Sequence, residues 1–204
     1  MLNGLKRNWA EPFWRSLAMP LVRAGLTPNQ VTLIGLALVA GNCLLYIFHR
    51  DTLLFGVGLS ISFIFDALDG AVARVRNLTT NFGGYLDAVI DRYQEIAVYA
   101  AIGWVTGWWG VVFLALTGSL MVSYNKARTA IEIPIENNSW PDLLERFERL
   151  SILCGALILD KFVALPAFLG ERVLLLGLLG IGALAHVTAV QRFFRAKHLL
   201  DPRQ

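Results

Sequence analysis

Two stretches decide how this chain folds, and they read FDALDGAVARVR over residues 65–76 and GGYLDAVIDR over residues 83–92. Each adjoins a long apolar segment. Together they carry four aspartates, Asp66, Asp69, Asp87 and Asp91. Spacings of i,i+3 in the first pair and i,i+4 in the second place each pair on one face of a helix. The sequence therefore predicts that two helix ends bring four carboxylates together at one depth.

The composition is that of a membrane protein. Of 204 residues, 56% are hydrophobic and only 16% are charged, which lies outside the range of ordinary soluble domains. Both cysteines, Cys43 and Cys154, fall inside apolar stretches, where a free thiol behaves as a small hydrophobe. A disulfide framework and a metal–thiolate cluster are therefore both disfavoured.

Six segments are long and apolar enough to cross a bilayer, since a helix needs about 20 residues to do so. They lie near 30–48, 52–75, 83–106, 109–131, 147–166 and 172–194. The loop from Glu132 to Asp142 is the longest break in this pattern. Residues 1–26 mix aromatic and basic side chains and predict an amphipathic helix on the membrane surface. We therefore expect an all-α membrane protein, with an interfacial helix over 1–26 and a six-helix catalytic domain over 27–204.

The distribution of basic residues predicts the orientation. Fourteen of the eighteen lysines and arginines fall at one set of helix ends, whereas Arg50, Lys161 and Arg172 fall at the other. Cytoplasmic loops retain positive charge, so both termini and the aspartates are expected on the cytoplasmic side of the cell membrane. This bias also explains the net charge of +3, and nucleic-acid binding gains no support from it.

Four carboxylates at membrane depth would repel one another unless a cation neutralised them. Salt bridges to Arg74 and Arg92 could offset two of them. Carboxylate ligands without His or Cys favour a hard metal, Mg²⁺ first and Mn²⁺ second. A pair of such ions would suit a diphosphate undergoing displacement. Small residues near the aspartates either admit a ligand close to the backbone or serve helix packing, and they are Gly70, Ala73, Gly83 and Gly84.

Read as one string, these residues spell D-x-x-D-G-x-x-A-R-(x)8-G-x-x-x-D-x-x-x-D, from residue 66 to residue 91. This pattern resembles the signature of the CDP-alcohol phosphotransferase family at every fixed position. The resemblance implies displacement of CMP from a CDP-linked lipid, such as CDP-diacylglycerol or an archaeal ether analogue, by a hydroxyl of a second alcohol. It also implies a homodimer.

The resemblance further implies a division of roles. Metal binding would fall to Asp66, Asp69 and Asp87, and Asp91 would complete the metal site and act as general base. Contacts to the CDP moiety would come from Asp66, Asp69, Gly70, Ala73, Arg74 and Gly83.

The acceptor alcohol is indicated by other stretches. GLTPNQVT (25–32), SYNKAR (123–128) and ERFERL (145–150) look like segments of the phosphatidylinositol-phosphate and archaetidylinositol-phosphate synthase branch. In that branch matching basic residues hold the acceptor's phosphate, which here would be Lys126, Arg128, Arg146 and Arg149. Four cations suit an acceptor that bears a phosphate, with inositol phosphate favoured. The alternative is that they only set the membrane topology.

Two competing functions remain open at this point, and a third, a catalytically silent lipid-binding member of the family, is disfavoured by the intact set of aspartates. Within the same family, a phosphatidylglycerophosphate synthase would use glycerol 3-phosphate as the acceptor. From a different class, a cation-coupled transporter would also need carboxylates inside the membrane. Clustering of the aspartates near one face, with no polar chain continuing through the other halves of the helices, disfavours the transporter.

Overall fold

The computed structural model describes residues 2–133, 144–166 and 172–201, with side chains from Pro12 onward. Helix is the dominant structure there, with an isolated bridge between Ala164 and Arg172. The described helices are α1 (Leu2–Arg23), α2 (Pro28–His49), α3 (Thr52–Asp66), α4 (Leu68–Arg76), α5 (Asn81–Thr106), α6 (Trp109–Glu132), α7 (Arg146–Leu159) and α8 (Val173–Leu200). The all-α prediction is confirmed.

The predicted segments correspond to these helices with three differences. The helix in the fifth segment, expected over 147–166, ends at Leu159, and the helix in the sixth, expected over 172–194, continues to Leu200. The second segment, expected as one helix over 52–75, is divided at Ala67 into α3 and α4. Most of the predicted loop from Glu132 to Asp142 lies outside the described residues.

Among the residues that the structure describes, three helical stretches are long and apolar enough to cross a membrane, namely Pro28–His49, Thr52–Arg76 and Val173–Leu200. Helix α7 has 14 residues, fewer than a bilayer crossing requires. Helix α5 carries Asp87, Asp91, Arg92 and Glu95, which lower its hydropathy. Many large apolar side chains are exposed, including Phe48, Phe113 and Phe193, as expected for surfaces that contact lipid. The chain is thus an integral membrane protein.

The described chain divides into two compact units, residues 1–45 with 58–98 and residues 46–57 with 99–204. In the first unit, α1 packs on α4. The shared core contains Ala18 of α1, Val31 of α2, and Leu68, Ala71 and Val72 of α4. This packing holds the short helix that follows Asp66 against the N-terminal helix.

The end of α4 is fixed by two features. Asn77 adopts a left-handed conformation, with φ of 53°, and its backbone N–H caps the helix on Arg74 O, a conformation that asparagine tolerates better than most residues. Arg76 donates to the carbonyl oxygens of Gly25 and Leu26 at 2.9 and 2.6 Å. The end of α4 is therefore tied to the corner between α1 and α2.

In the second unit, glycines allow α6 and α8 to pack closely. A Cβ atom at Gly118 would lie 2.9 Å from the Cβ of Ala185, and one at Gly182 would lie 3.0 Å from Leu114 Cγ. Small residues at such crossings let helix backbones approach in a membrane. Asn125 also joins the two helices by donating to the carbonyl oxygen of Ala189 at 2.9 Å.

Candidate functional site

Three of the four aspartates form a compact acidic cluster in the first unit. One carboxylate oxygen each from Asp66, Asp87 and Asp91 lie within 4.8 Å of one another. Asp66 is the last residue of α3 and is only 4% exposed, whereas the other two lie four residues apart on α5 and are half-buried. The i,i+4 spacing thus places Asp87 and Asp91 on one face, as the sequence predicts.

Asp69 lies outside this group of three. Its Oδ2 accepts a hydrogen bond from the hydroxyl of Thr32 at 2.6 Å, and its Oδ1 accepts one from the backbone N–H of Gly70. The break at Ala67 separates Asp69 from the helix that ends in Asp66. Ala67 itself keeps helical backbone angles, with φ of −61° and ψ of −8°. Both aspartates still lie beside α2, where Asp69 contacts Thr32 and Asp66 lies close to Gly35.

A cavity of about 210 Å³ opens beside Asp69 and Asp87. Five of the six residues predicted to contact the CDP moiety line it, and Asp66 is the exception. The full lining is Pro28, Asn29, Thr32, Asp69, Gly70, Ala73, Arg74, Leu78, Thr79, Thr80, Gly83, Gly84 and Asp87.

The cavity combines anion-attracting groups with small residues. Arg74 lies on its wall together with the first turn of α5, whose Gly83 N–H donates to the hydroxyl of Thr80 at 3.0 Å. Helix N-termini carry partial positive charge and favour bound anions. Gly70, Ala73 and Gly83 leave the backbone accessible. The cavity can therefore hold a phosphorylated ligand beside carboxylates that would ligate its counter-ion.

Polar residues beyond the predicted set surround the acidic cluster. Gln94 donates to Asp66 Oδ1 at 2.8 Å, and both side chains are buried. Glu95 is 1% exposed. Arg92 lies 3.9 Å from a carboxylate oxygen of Asp91 and 4.0 Å from one of Glu95. Their spacing of three and four residues from Asp91 is the signal that could have identified Gln94 and Glu95.

The acidic cluster fits a hard divalent cation. Its donors are carboxylate oxygens alone, which Mg²⁺ and Mn²⁺ prefer. Three negative charges within 4.8 Å, one of them on a buried residue, would be costly without a compensating positive charge. The donor set thus agrees with the metal type that the sequence predicts.

The four predicted acceptor residues belong to the second unit and differ in their surroundings. Arg128 is exposed, pairs with Glu132 at 2.6 Å, and lines a cavity of about 580 Å³ together with Lys197. Arg149 is 1% exposed and donates to the carbonyl oxygen of Leu144 at 3.1 Å. Lys126 and Arg146 are half-buried.

Another buried guanidinium lies in the same unit. Arg192 of α8 is 5% exposed and donates to the backbone carbonyl oxygen of Val122 on α6. The sequence indicated only that Arg192 contributes to the topology. A basic residue near the end of an apolar helix gives no sign, in a single sequence, of whether it faces inward.

Comparison with known proteins gives consistent matches. The chain is 32% identical over 206 residues to an archaetidylinositol phosphate synthase from Pyrococcus horikoshii, with 98% of this chain and 99% of that protein covered. It is also 32% identical to a phosphatidylinositol phosphate synthase from Streptomyces avermitilis, covering 94% of this chain and 81% of that one.

Solved structures of the phosphatidylinositol phosphate synthase from Mycobacterium tuberculosis share the fold. One, with CDP-DAG bound, has a TM-score of 0.76 and 27% identity and covers 90% of this chain and 92% of its own. Another, in complex with manganese and citrate, has a TM-score of 0.77 and 28% identity over 90% and 88% of the two chains.

The family described as CDP-alcohol phosphatidyltransferase has a sequence model that matches residues 25–186. The match contains the acidic cluster, the adjoining cavity and all eight fixed residues of the motif that runs from Asp66 to Asp91. This chain is a transferase that belongs to the CDP-alcohol phosphatidyltransferase family.

Proposed function

We propose that the protein transfers a phosphatidyl or archaetidyl group from a CDP-linked lipid to a hydroxyl of inositol phosphate and releases CMP. The observation that carries this proposal is the cavity lined by Gly70, Arg74 and Gly83, with Asp69 and Asp87 on its wall. It is supported by the relatives named archaetidylinositol and phosphatidylinositol phosphate synthases, and by CDP-DAG bound to a solved structure of similar fold.

Metal binding is assigned to Asp66, Asp87 and Asp91, with Asp69 as a further ligand from the edge of the cavity. Mg²⁺ is the expected ion, with Mn²⁺ as a substitute, and two ions would serve the diphosphate. A bound cation would stabilise negative charge on the leaving phosphate. The manganese complex of the mycobacterial synthase supports a divalent ion in a protein of this fold.

The residues of the chain have distinct roles in this mechanism. Gly70, Ala73 and Gly83 admit the diphosphate close to the backbone, and Arg74 donates to its oxygens. Asp91 accepts the proton of the attacking hydroxyl, as a positioned carboxylate can. The hydroxyl oxygen bonds to the lipid-bearing phosphorus, the bond from that phosphorus to the oxygen of CMP breaks, and the products are a phosphodiester and CMP.

The acceptor's phosphate is assigned to Lys126, Arg128, Arg146 and Arg149. Guanidinium groups bind phosphate through two parallel N–H donors, which suits a phosphorylated acceptor better than choline or ethanolamine. The proposed arrangement has six spans, the fifth of which covers 147–166 and so extends beyond the end of α7. It also has an amphipathic N-terminal helix on the membrane surface, and its site and both termini face the cytoplasm. We expect the enzyme to act as a homodimer.

The test is CMP release by the purified protein with CDP-diacylglycerol and Mg²⁺, across inositol phosphate, glycerol 3-phosphate, inositol and choline. We expect release with inositol phosphate, loss in Asp87→Asn, and no loss in Asp51→Asn, an aspartate outside the site. Release with glycerol 3-phosphate alone would identify a phosphatidylglycerophosphate synthase instead. Absence of CMP release with every acceptor, together with metal-driven ion flux in liposomes, would favour the transporter.

A further inference from the structure

We propose that Gln94 and Gly35 are positioning residues that hold the carboxylate of Asp66 in a single orientation for metal binding. One lies on α5 and the other on α2, so they approach this carboxylate from two different helices. The inference rests on the proposed function, because it assumes that Asp66 ligates a divalent cation. Neither residue belongs to the D-x-x-D-G motif or contacts the substrate in the proposed mechanism.

Gln94 supplies a directed hydrogen bond. Its Nε2 lies 2.8 Å from Asp66 Oδ1, and Gln94 itself is fully buried. A hydrogen bond to a carboxylate is stronger than one between neutral groups, and burial of both side chains excludes water from it. The contact therefore favours the rotamer of Asp66 in which Oδ1 meets the amide. Groups that orient metal-binding carboxylates in this way are a regular feature of metal sites.

Gly35 supplies the space for that rotamer. It is buried in α2, and a Cβ atom at this position would lie 2.6 Å from Asp66 Oδ1 and 3.3 Å from Asp66 Cα. A contact of 2.6 Å is essentially never made by a real Cβ atom, and one of 3.3 Å is tight, so any larger residue would displace the carboxylate or the helix. The absence of a side chain at Gly35 thus lets Asp66 lie against the backbone of α2.

One face of α2 contacts both aspartates of the D-x-x-D-G sequence, Asp66 and Asp69. Thr32 and Gly35 are three residues apart, hence on the same face, and they contact Asp69 and Asp66 respectively. Asp66 is therefore enclosed between this face of α2 and Gln94 of α5. Its orientation is fixed by packing on one side and by a hydrogen bond on the other.

Gln94 is uncharged, which avoids further repulsion within the acidic cluster. Asp66, Asp87 and Asp91 already bring three carboxylates together, and Glu95 is buried next in the sequence. A carboxylate in place of Gln94 would place another negative charge against Asp66 and could not donate when ionised. An amide of the same shape orients Asp66 without adding to this repulsion.

The experiment measures Mn²⁺ affinity by electron paramagnetic resonance of the free ion, without substrate. It is paired with CMP release as a function of Mg²⁺ concentration. We expect Gln94→Met and Gly35→Ala each to weaken Mn²⁺ binding about 10- to 100-fold, the range for loss of a group that orients a metal ligand. The Mg²⁺ concentration for half-maximal rate should rise in parallel, and saturating Mg²⁺ should recover much of the rate. Gln94→Glu should weaken binding at least as much as Gln94→Met.

Two matched controls separate positioning from general destabilisation. Gly41→Ala adds a methyl group to the same helix at a position where its Cβ meets nothing within 4 Å, so metal affinity should not change. Ser62→Ala removes another buried interhelical hydrogen bond, the one that Asn42 donates at 2.8 Å. It should lower the thermal unfolding temperature without altering Mn²⁺ affinity.

The double variant Gly35→Ala/Gln94→Met tests directly whether both residues act on the carboxylate of Asp66. Because both residues act on one carboxylate, it should bind Mn²⁺ little more weakly than the worse single variant. Wild-type Mn²⁺ affinity in Gln94→Met and Gly35→Ala would overturn the inference while leaving the proposed function intact. A wild-type protein that neither binds Mn²⁺ nor releases CMP would overturn the proposed function itself.

Discussion

The hydroxyl of Thr32 donates a hydrogen bond to Asp69 Oδ2 across 2.6 Å, and so links α2 to α4 at the edge of the cavity. Thr32 is 3% exposed, which limits competition from water. A hydrogen bond to a charged group contributes about 1.5–3 kcal/mol, enough to hold Asp69 in place while a ligand enters and leaves.

Thr32→Val keeps the shape of the side chain and removes its hydroxyl. We expect kcat/KM for the CDP-lipid to fall at least tenfold, following the loss of about 1.5 kcal/mol. Initial rates of CMP release at varied CDP-lipid concentration measure this. Thr32→Ser retains the hydroxyl and should stay close to the wild-type value. Equal rates for Thr32→Val and wild type would show that Asp69 needs no support from α2.

Asp91→Asn tests the general base. An asparagine cannot accept the proton of the attacking hydroxyl, so kcat should fall by about 10²- to 10⁴-fold, while CDP-lipid still binds. The rate is followed by CMP release, and binding by displacement of a labelled CDP-lipid. Loss of binding together with rate would assign Asp91 to the metal alone, and unimpaired turnover would remove it from the mechanism.

Arg128→Ala tests the acceptor site. We expect the KM for inositol phosphate to rise about tenfold or more, with little change in the KM for the CDP-lipid. The matched control is Glu132→Gln, which removes the ion pair at 2.6 Å but keeps the guanidinium, and it should not raise the KM for the acceptor. A defect confined to the donor would move Arg128 out of the acceptor site.

Gly103→Ala tests the close packing at the end of α5. A Cβ atom there would lie 2.7 Å from Trp109 Cε3, and overpacking of this kind costs roughly 1–3 kcal/mol. The thermal unfolding temperature in detergent should fall by several degrees. Gly110→Ala is the control, since its Cβ would meet nothing within 4 Å. Equal unfolding temperatures for the two variants would contradict the packing argument.

Asp51 gives a pH-dependent prediction. The hydrogen bond from Lys161, 2.8 Å away, together with the backbone N–H groups of Leu54 and Leu53, holds the pKa of Asp51 below its usual range. Stability from a lowered carboxylate pKa is present above about pH 4 and is lost as pH falls through the folded-state value. The unfolding temperature of wild type should exceed that of Asp51→Asn at pH 6, and the difference should shrink towards pH 3. If the difference in unfolding temperature stayed constant with pH, it would not arise from the lowered pKa of Asp51.

The helices were predictable because long apolar runs are separated by turn residues. Gly107, with φ of 76°, lies in the short break between α5 and α6, which separates the segments predicted over 83–106 and 109–131. The bounds of α6, Trp109–Glu132, fall within a residue of those expected. Apolar length and breakers are local properties, so a single sequence is sufficient to identify them.

The arrangement of the aspartates was only partly predictable. Asp87 and Asp91 share a face because α5 is continuous through them, but Asp66 and Asp69 fall on either side of the break at Ala67. The residue pattern does not predict that break, because alanine is a strong helix former. The partners Thr32 and Gln94 depend on how separate helices pack, which periodicity within one helix does not determine.

The hydrogen bonds from Arg76 to the carbonyl oxygens of Gly25 and Leu26 make the connection between α1 and α2 less tolerant of inserted residues. Short exposed corners between helices are usually the places where a chain accepts extra residues. Here an inserted residue would shift two carbonyl groups that anchor the end of α4, and the shift would reach Ala73 and Arg74 on the cavity wall. Tags, fusions or loop extensions are therefore better placed elsewhere, because lengthening this corner would reshape the cavity beside Asp69 and Asp87.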